Sequence, residues 1–209
     1  NNRLLLSLMP EAVAERYRQG EETVARDHRD VSVIFADIIG LDDLATELSS
    51  EDLLEVVNRL VRQFDSAAEE LGVERVGTMR SGYLASCGLN MPRLDNVRRT
   101  VDFAVEMRQI VERFSAETGH RLSLRAGIDT GTVSSGLVGR TAVVYDMWGS
   151  AVNLAHQAQR GPREAGIFVT SAVYEAMRDA QRFVAAGEVT VGTPPDTSTE
   201  LIWRLLERS

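Results

Sequence analysis

The chain has 209 residues, enough for one well-buried domain with an appendage, and its apolar and charged fractions of 44% and 26% are ordinary for a globular protein. Its formal net charge of −8 argues against a general nucleic-acid surface, because phosphate backbones are bound by a local excess of basic side chains. All 23 basic residues are arginine, so no site in the chain has a lysine.

The single cysteine, Cys87, excludes an intrachain disulfide and favours a reducing, cytoplasmic compartment. No stretch is apolar for the length of a membrane span, and no signal peptide is visible. Because the chain starts at Asn1 without a methionine, we expect it to be a fragment, with a sensor or membrane module upstream.

Residues 1–28 predict a linker helix or helix pair, and residues 29–209 one domain. Apolar residues fall at helical spacing on both sides of Pro10, and Gly20 and a charged stretch follow them. Two interpretations stay open: the helix packs on its own domain, or it is the end of a coiled coil that enters from upstream.

The first strand of the domain is predicted at residues 31–36, an apolar run that ends in Asp37 and a turn containing Gly40. A long amphipathic helix is expected from Ser49 or Ser50 to the stop at Gly72. Extended segments at 73–79 and 83–88 predict a hairpin, since Ser81-Gly82 is a turn signal. A second helix at 96–117 and a strand at 122–128 complete the order β-α-β-β-α-β.

This order predicts an α+β fold with a ferredoxin-like βαββαβ core, elaborated with a β-arm and C-terminal strands. The arm is expected at 130–144, where Gly, Ser, Thr and Val dominate. The later elements are predicted as a helix at 150–160, a strand at 166–170, a short helix at 171–180, and strands at 183–191 and 200–205.

Three stretches together resemble the signature segments of class III nucleotidyl cyclases, which are adenylyl and guanylyl cyclases. They are Phe-Ala-Asp-Ile-Ile-Gly at 35–40, Glu-Arg-Val-Gly-Thr-Met-Arg-Ser-Gly-Tyr at 74–83, and Tyr-Asp-Met-Trp-Gly-Ser-Ala-Val-Asn at 145–153. The resemblance covers roughly residues 31–206, and residues 6–15 resemble the linker that precedes many such domains.

The resemblance implies a dimer with ATP or GTP at the subunit interface. In this family two aspartates of one subunit hold two divalent ions, Mg²⁺ or Mn²⁺, on the triphosphate. The partner supplies a lysine and an aspartate that read the base, and an asparagine and an arginine for the ribose and the transition-state charge.

Asp37 matches the first metal-binding aspartate, and Ile38, Ile39 and Gly40 match the backbone that contacts phosphate. An alternative use for Asp37 is to cap the turn after its strand. Asp146 matches the acid that reads the base and Asn153 the amide that orients the ribose, although both types also serve in turns and at helix ends.

Three matched positions have lost the required group. The second metal-binding aspartate falls at Ser81, the base-reading lysine at Gly77, and the transition-state arginine at Gln157. We therefore expect weak binding of Mg²⁺ or Mn²⁺. Asp42 adds a carboxylate near the expected phosphates. Arg80 is interpreted as a solvated turn arginine, and the alternative hypothesis places its guanidinium beside Asp37.

The lost groups predict little or no turnover by a homodimer, because each missing charge-stabilising donor commonly costs about 2.7–4 kcal/mol of barrier. Three function classes stay open. The domain is a slow cyclase or one completed by an intact subunit in a heterodimer, a pseudoenzyme that pairs subunits and relays a signal, or a nucleotide sensor without turnover.

Overall fold

The computed structural model describes residues 26–79, 82–138, 144–192 and 194–207. A linker is predicted for residues 1–28. Residues 1–25 of that segment lie outside the described residues. Within the described ranges, none of the helices combines the length and the apolar character that a bilayer span requires.

The first strand, β1, runs over Arg26–Ile39 and is longer than the strand predicted at 31–36. Its register against the strand Ser123–Val138 (β4) shifts between His28 and Val31. Asp30, at this irregularity, has a positive φ of 57°. Hydrophobic patterning missed the outer part of β1 because charged residues fill it and a β-bulge interrupts its alternation.

Two helices follow β1. The short helix α1 (Leu41–Glu47) was not predicted, whereas the long helix α2 (Ser50–Leu71) confirms the prediction. The hydroxyl of Ser49, the N-cap of α2, accepts a hydrogen bond from the backbone N–H of Asp52 at 3.1 Å. Gly72 ends α2 in the left-handed conformation, with a φ of 71°.

The later elements confirm the predicted order, with different ends for several of them. They are β2 (Glu74–Met79), β3 (Gly82–Cys87), α3 (Asn96–Thr118), β4 (Ser123–Val138), β5 (Val144–Trp148), α4 (Ser150–Arg160), β6 (Gly166–Thr170), α5 (Ser171–Met177), β7 (Phe183–Val191) and β8 (Ser198–Leu205). The predicted arm is the outer half of β4 paired with β5. The predicted helix at 171–180 ends earlier, at Met177.

The eight strands form one sheet. Seven of them follow the order β2-β3-β1-β4-β6-β8-β7, and the eighth, β5, pairs with β4. β1 is antiparallel to both β3 and β4, and β4 is parallel to β6. The predicted α+β class and the ferredoxin-like core are confirmed.

The sheet separates two apolar layers. On one face Ile34 and Ala36 pack against residues of α2 and α3, among them Phe64 and Phe103. On the other face Phe35 packs in a cluster with residues of α4. Because side chains alternate along a strand, Asp37 lies on the same face as Phe35, towards α4.

Asp129 is a buried carboxylic acid on β4, only 4% exposed. The hydroxyl of Thr170, at the end of β6, donates a hydrogen bond to its Oδ1 at 2.5 Å. Burial raises the pKa of Asp129 to about 6, even though hydrogen bonds with Thr170 and the backbone of Thr130 lower it.

We expect Asp129 to make the domain less stable as the pH rises between about 4 and 6. The folded state holds this proton more tightly than the unfolded state, so the stabilisation is lost as the pH passes the folded pKa. Asp129→Asn keeps an acceptor for Thr170 and removes the titration. Its stability advantage over the wild type should grow by about 2 kcal/mol from pH 4.5 to pH 7.5, measured by urea unfolding. Parallel pH profiles for the two proteins would contradict this account.

Candidate nucleotide site

Asp37 lies near the end of β1, and Ile38 and Ile39 are the last residues of that strand. Gly40 follows as the N-cap of α1 with a φ of 108°. A Cβ at this position would lie 2.3 Å from the carbonyl oxygen of Arg121, so the turn requires glycine for both space and conformation. Gly40 thereby fixes the backbone conformation of the turn that follows Asp37.

The carboxylate of Asp37 is held by the guanidinium of Arg125, its partner in the β1–β4 register. Arg125 Nε donates to Oδ1 at 3.0 Å and Nη2 donates to Oδ2 at 2.6 Å, a bidentate, charge-assisted pair. The pKa of Arg125 is raised by this hydrogen bond with Asp37, against the opposing effect of burial. Each of the two side chains is 20% exposed, so water screens the pair only partly.

Sequence reasoning missed Arg125, although a signal was present. The strand predicted at 122–128 alternates apolar residues with Ser123, Arg125 and Gly127. This alternation places Arg125 on the face opposite the apolar residues that the two long helices cover. Only the register of β4 against β1 shows that this face is the one that carries Asp37.

Helix α4 lies directly against the sheet because residue 127 has no side chain. A Cβ on Gly127 would lie 2.3 Å from both the carbonyl oxygen of Ala155 and the backbone nitrogen of Gln159. The close approach of helix and strand backbones sets the height of α4 above β4.

Asn153 and Gln157 lie one turn apart on α4, as their spacing predicts. Asn153 is exposed and Gln157 is half-buried. Between them, the ring of His156 stacks on Phe35 of β1 with centroids 4.7 Å apart. Burial lowers the pKa of His156, and the charge of Arg160 lowers it further. The helix that carries Asn153 and Gln157 therefore contacts β1 at Phe35, two residues before Asp37.

Gly77 and Asp146, the predicted base-reading positions, lie on strands that contact each other, β2 and β5. The backbone of Gly77 is opposite Leu84 of β3, and that of Asp146 is opposite Gly136 of β4. Ser81 and Arg80 lie outside the described residues, so the roles predicted for them stay predictions.

Among the described residues, no group of three His, Cys, Asp or Glu side chains is arranged to hold a metal, and both oxygens of Asp37 accept hydrogen bonds from Arg125. Asp42 is exposed in the first turn of α1, where a carboxylate has the ordinary use of balancing the helix dipole.

Residues 23–203 match the protein family described as the adenylate and guanylate cyclase catalytic domain. An adenylate cyclase of Mycobacterium tuberculosis is 33% identical over 177 residues, which cover 84% of this chain and 40% of the relative. The chain therefore spans less than half the length of that relative.

Solved cyclase domains share the fold. The guanylate cyclase domain of RhGC from Catenaria anguillulae, in complex with GTP, superposes with a TM-score of 0.77 at 21% identity, covering 88% of this chain and all of that one. A non-canonical dimeric guanylyl cyclase domain of the RhoGC fusion protein from Blastocladiella emersonii gives a TM-score of 0.73 at 24% identity, covering 90% of this chain and 99% of that one. The chain belongs to the adenylate and guanylate cyclase catalytic domain family.

Proposed function

We propose that this domain pairs subunits and relays a signal, and that as a homodimer it makes little or no cyclic nucleotide from ATP or GTP. The observation that carries this proposal is the chemistry of the residues around Asp37: α4 brings an uncharged Gln157 to the same face of the sheet, and the acid expected at residue 81 is a serine. Pairing agrees with the non-canonical dimer that a cyclase domain of the same fold forms, although that domain has also been solved as a monomer.

The chemistry of cyclisation explains why such a site is expected to fail. The 3′-hydroxyl must lose its proton, and the departing pyrophosphate must have its negative charge neutralised as the bond breaks. This chain offers an uncharged Gln157 where the family has a guanidinium, Ser81 where it has an acid, and no side chain at Gly77. The retained groups orient a nucleotide better than they stabilise developing charge.

The test is an activity and assembly measurement on the purified protein. We expect a dimer in sedimentation equilibrium, and no cyclic nucleotide above background with ATP or GTP in the presence of Mn²⁺ or Mg²⁺. Robust turnover by the homodimer would refute the proposal, and a strictly monomeric protein would refute its pairing part.

A second function is favoured by the exposure of Asn153 on α4. An exposed amide is available to a site that a different subunit completes, as in the family's shared sites. We expect that, in this case, mixing with an intact cyclase domain produces activity. That activity should fall at least tenfold with Asn153→Ala in this chain, because a misplacement of the reacting groups by about 1 Å can cost roughly a hundredfold in rate.

A further inference from the structure

The face of α4 that is turned to the sheet carries an aromatic contact with β1. The imidazole of His156 stacks on the phenyl ring of Phe35, with the ring centroids 4.7 Å apart and the ring planes 27° from parallel. Phe35 is only 7% exposed, so the side of its ring that the imidazole covers is largely closed to water. His156 lies three residues after Asn153 and directly before Gln157 on the same helix.

This stack is the contact that can fix the rotation of α4 about its own axis. The buried residues that α4 adds to the apolar cluster on this face have smaller side chains, Ala151, Val152 and Ala155. The contact at Gly127 sets how closely α4 approaches β4, but small side chains on a helix resist its rotation only weakly. Two stacked rings resist it better, because their contact area and their preferred offset are both lost when one ring turns away.

We infer that His156 is a positioning residue, whose stack on Phe35 sets the direction in which α4 projects Asn153 and Gln157. Successive residues of a helix differ in direction by about 100°, so turning His156 towards Phe35 fixes the directions of the other two side chains as well. The inference deepens the second proposed function and rests on it for the use of Asn153. The stack itself is tested without nucleotide.

The surroundings of the ring favour its neutral form. Burial lowers the pKa of His156, and the charge of Arg160, one turn later on α4, lowers it further. On β1, the next residue on the same face is Asp37, whose carboxylate is paired with Arg125 of β4. The buried acid Asp129 lies on this face of β4 as well. At neutral pH the ring of His156 is therefore an uncharged aromatic surface.

The first experiment follows the Cε1–H signals of the three histidines by NMR while the pH is changed. In the wild type, the signal of His156 should lie upfield because of the ring current of Phe35, and its titration midpoint should lie below the ordinary value of about 6.5. Phe35→Leu should remove the upfield displacement. Arg160→Gln should keep that displacement and raise the midpoint, because it removes a charge without touching the stack.

His120 is the internal control, since its ring stacks on Phe114 with centroids 6.3 Å apart at a different place in the fold. Its signal should be the same in the wild type and in Phe35→Leu. A signal of His156 that does not respond to Phe35→Leu would overturn the inference.

The second experiment tests whether the stack positions the two amides. The side-chain amide signals of Asn153 and Gln157 should move in His156→Ala. They should return close to their wild-type positions in His156→Phe, which keeps a ring on Phe35. His120→Ala is the matched control and should leave both signals unchanged. Amide signals that ignore His156→Ala, or a His156→Phe protein that behaves like His156→Ala, would contradict the positioning role.

The third experiment measures cyclic nucleotide formation by this chain mixed with an intact cyclase domain. His156→Ala should lower kcat about tenfold and change KM for the nucleotide by less than about threefold, because a misaligned amide disturbs the reaction geometry more than ground-state binding. His156→Phe should recover most of the lost kcat.

An inactive mixture would count against the second proposed function alone, because the NMR comparisons contain no nucleotide. Should Phe35→Leu fail to fold, His156→Ala and His156→Phe still decide, since they change only a half-buried side chain of α4. A fall in kcat that is the same in His156→Ala and His156→Phe would overturn the role given to the stack.

Discussion

Restoring the three lost groups together, with Gly77→Lys, Ser81→Asp and Gln157→Arg, should raise cyclic nucleotide formation by at least a hundredfold over the wild-type homodimer. Each lost group is expected to cost about 2.7–4 kcal/mol of barrier, although the losses do not simply add. The measurement is the rate of cyclic AMP or cyclic GMP formation with Mn²⁺, at equal concentrations of dimer.

Single restorations should give far less than the triple variant, because groups that stabilise one transition state act together. Adding Asp37→Asn to the triple variant serves as the control and should remove the gained activity. A triple variant that is folded and dimeric but still inactive would show that more than these side chains has been lost. The proposed account of the lost activity would then be wrong.

The fold could be predicted from the sequence wherever hydrophobic periodicity is long and uninterrupted. The helices α2 and α3 have apolar stripes over more than 20 residues and glycine stops at Gly72 and Gly119. The helix α1 was missed because its seven residues contribute a single buried side chain, Leu44, which is too little for a periodic signal.

The candidate site could be predicted only in part. Local motifs placed Asp37, Gly40 and Asn153 on the right kinds of element, because a strand end, a glycine turn and a helix start are local features. The pairing of Asp37 with Arg125 joins residues 88 positions apart and depends on the register of two strands. No single stretch of sequence contains this information. The hypothesis of a guanidinium from Arg80 rested on its position just before Ser81, and it stays a prediction because Arg80 lies outside the described residues.

The contact between α4 and β4 makes Gly127 the position where a small change should damage this domain most. Gly127→Ala places a methyl group 2.3 Å from two backbone atoms of α4, at Ala155 and Gln159. Backbone atoms cannot rotate away as a side chain does, so α4 must move. We expect the free energy of unfolding to fall by about 3 kcal/mol, near the upper end for overpacked sites.

The matched control is Thr132→Val on the same strand, where the side chain is exposed and the replacement has nearly the same shape. It should change the free energy of unfolding by no more than about 0.5 kcal/mol. Urea unfolding of both variants at one pH compares them directly. A Gly127→Ala protein as stable as the control would mean that α4 does not sit on the backbone of β4. The placement of Asn153 and Gln157 relative to Asp37 would then need revision, because α4 reaches that position through the contact at Gly127.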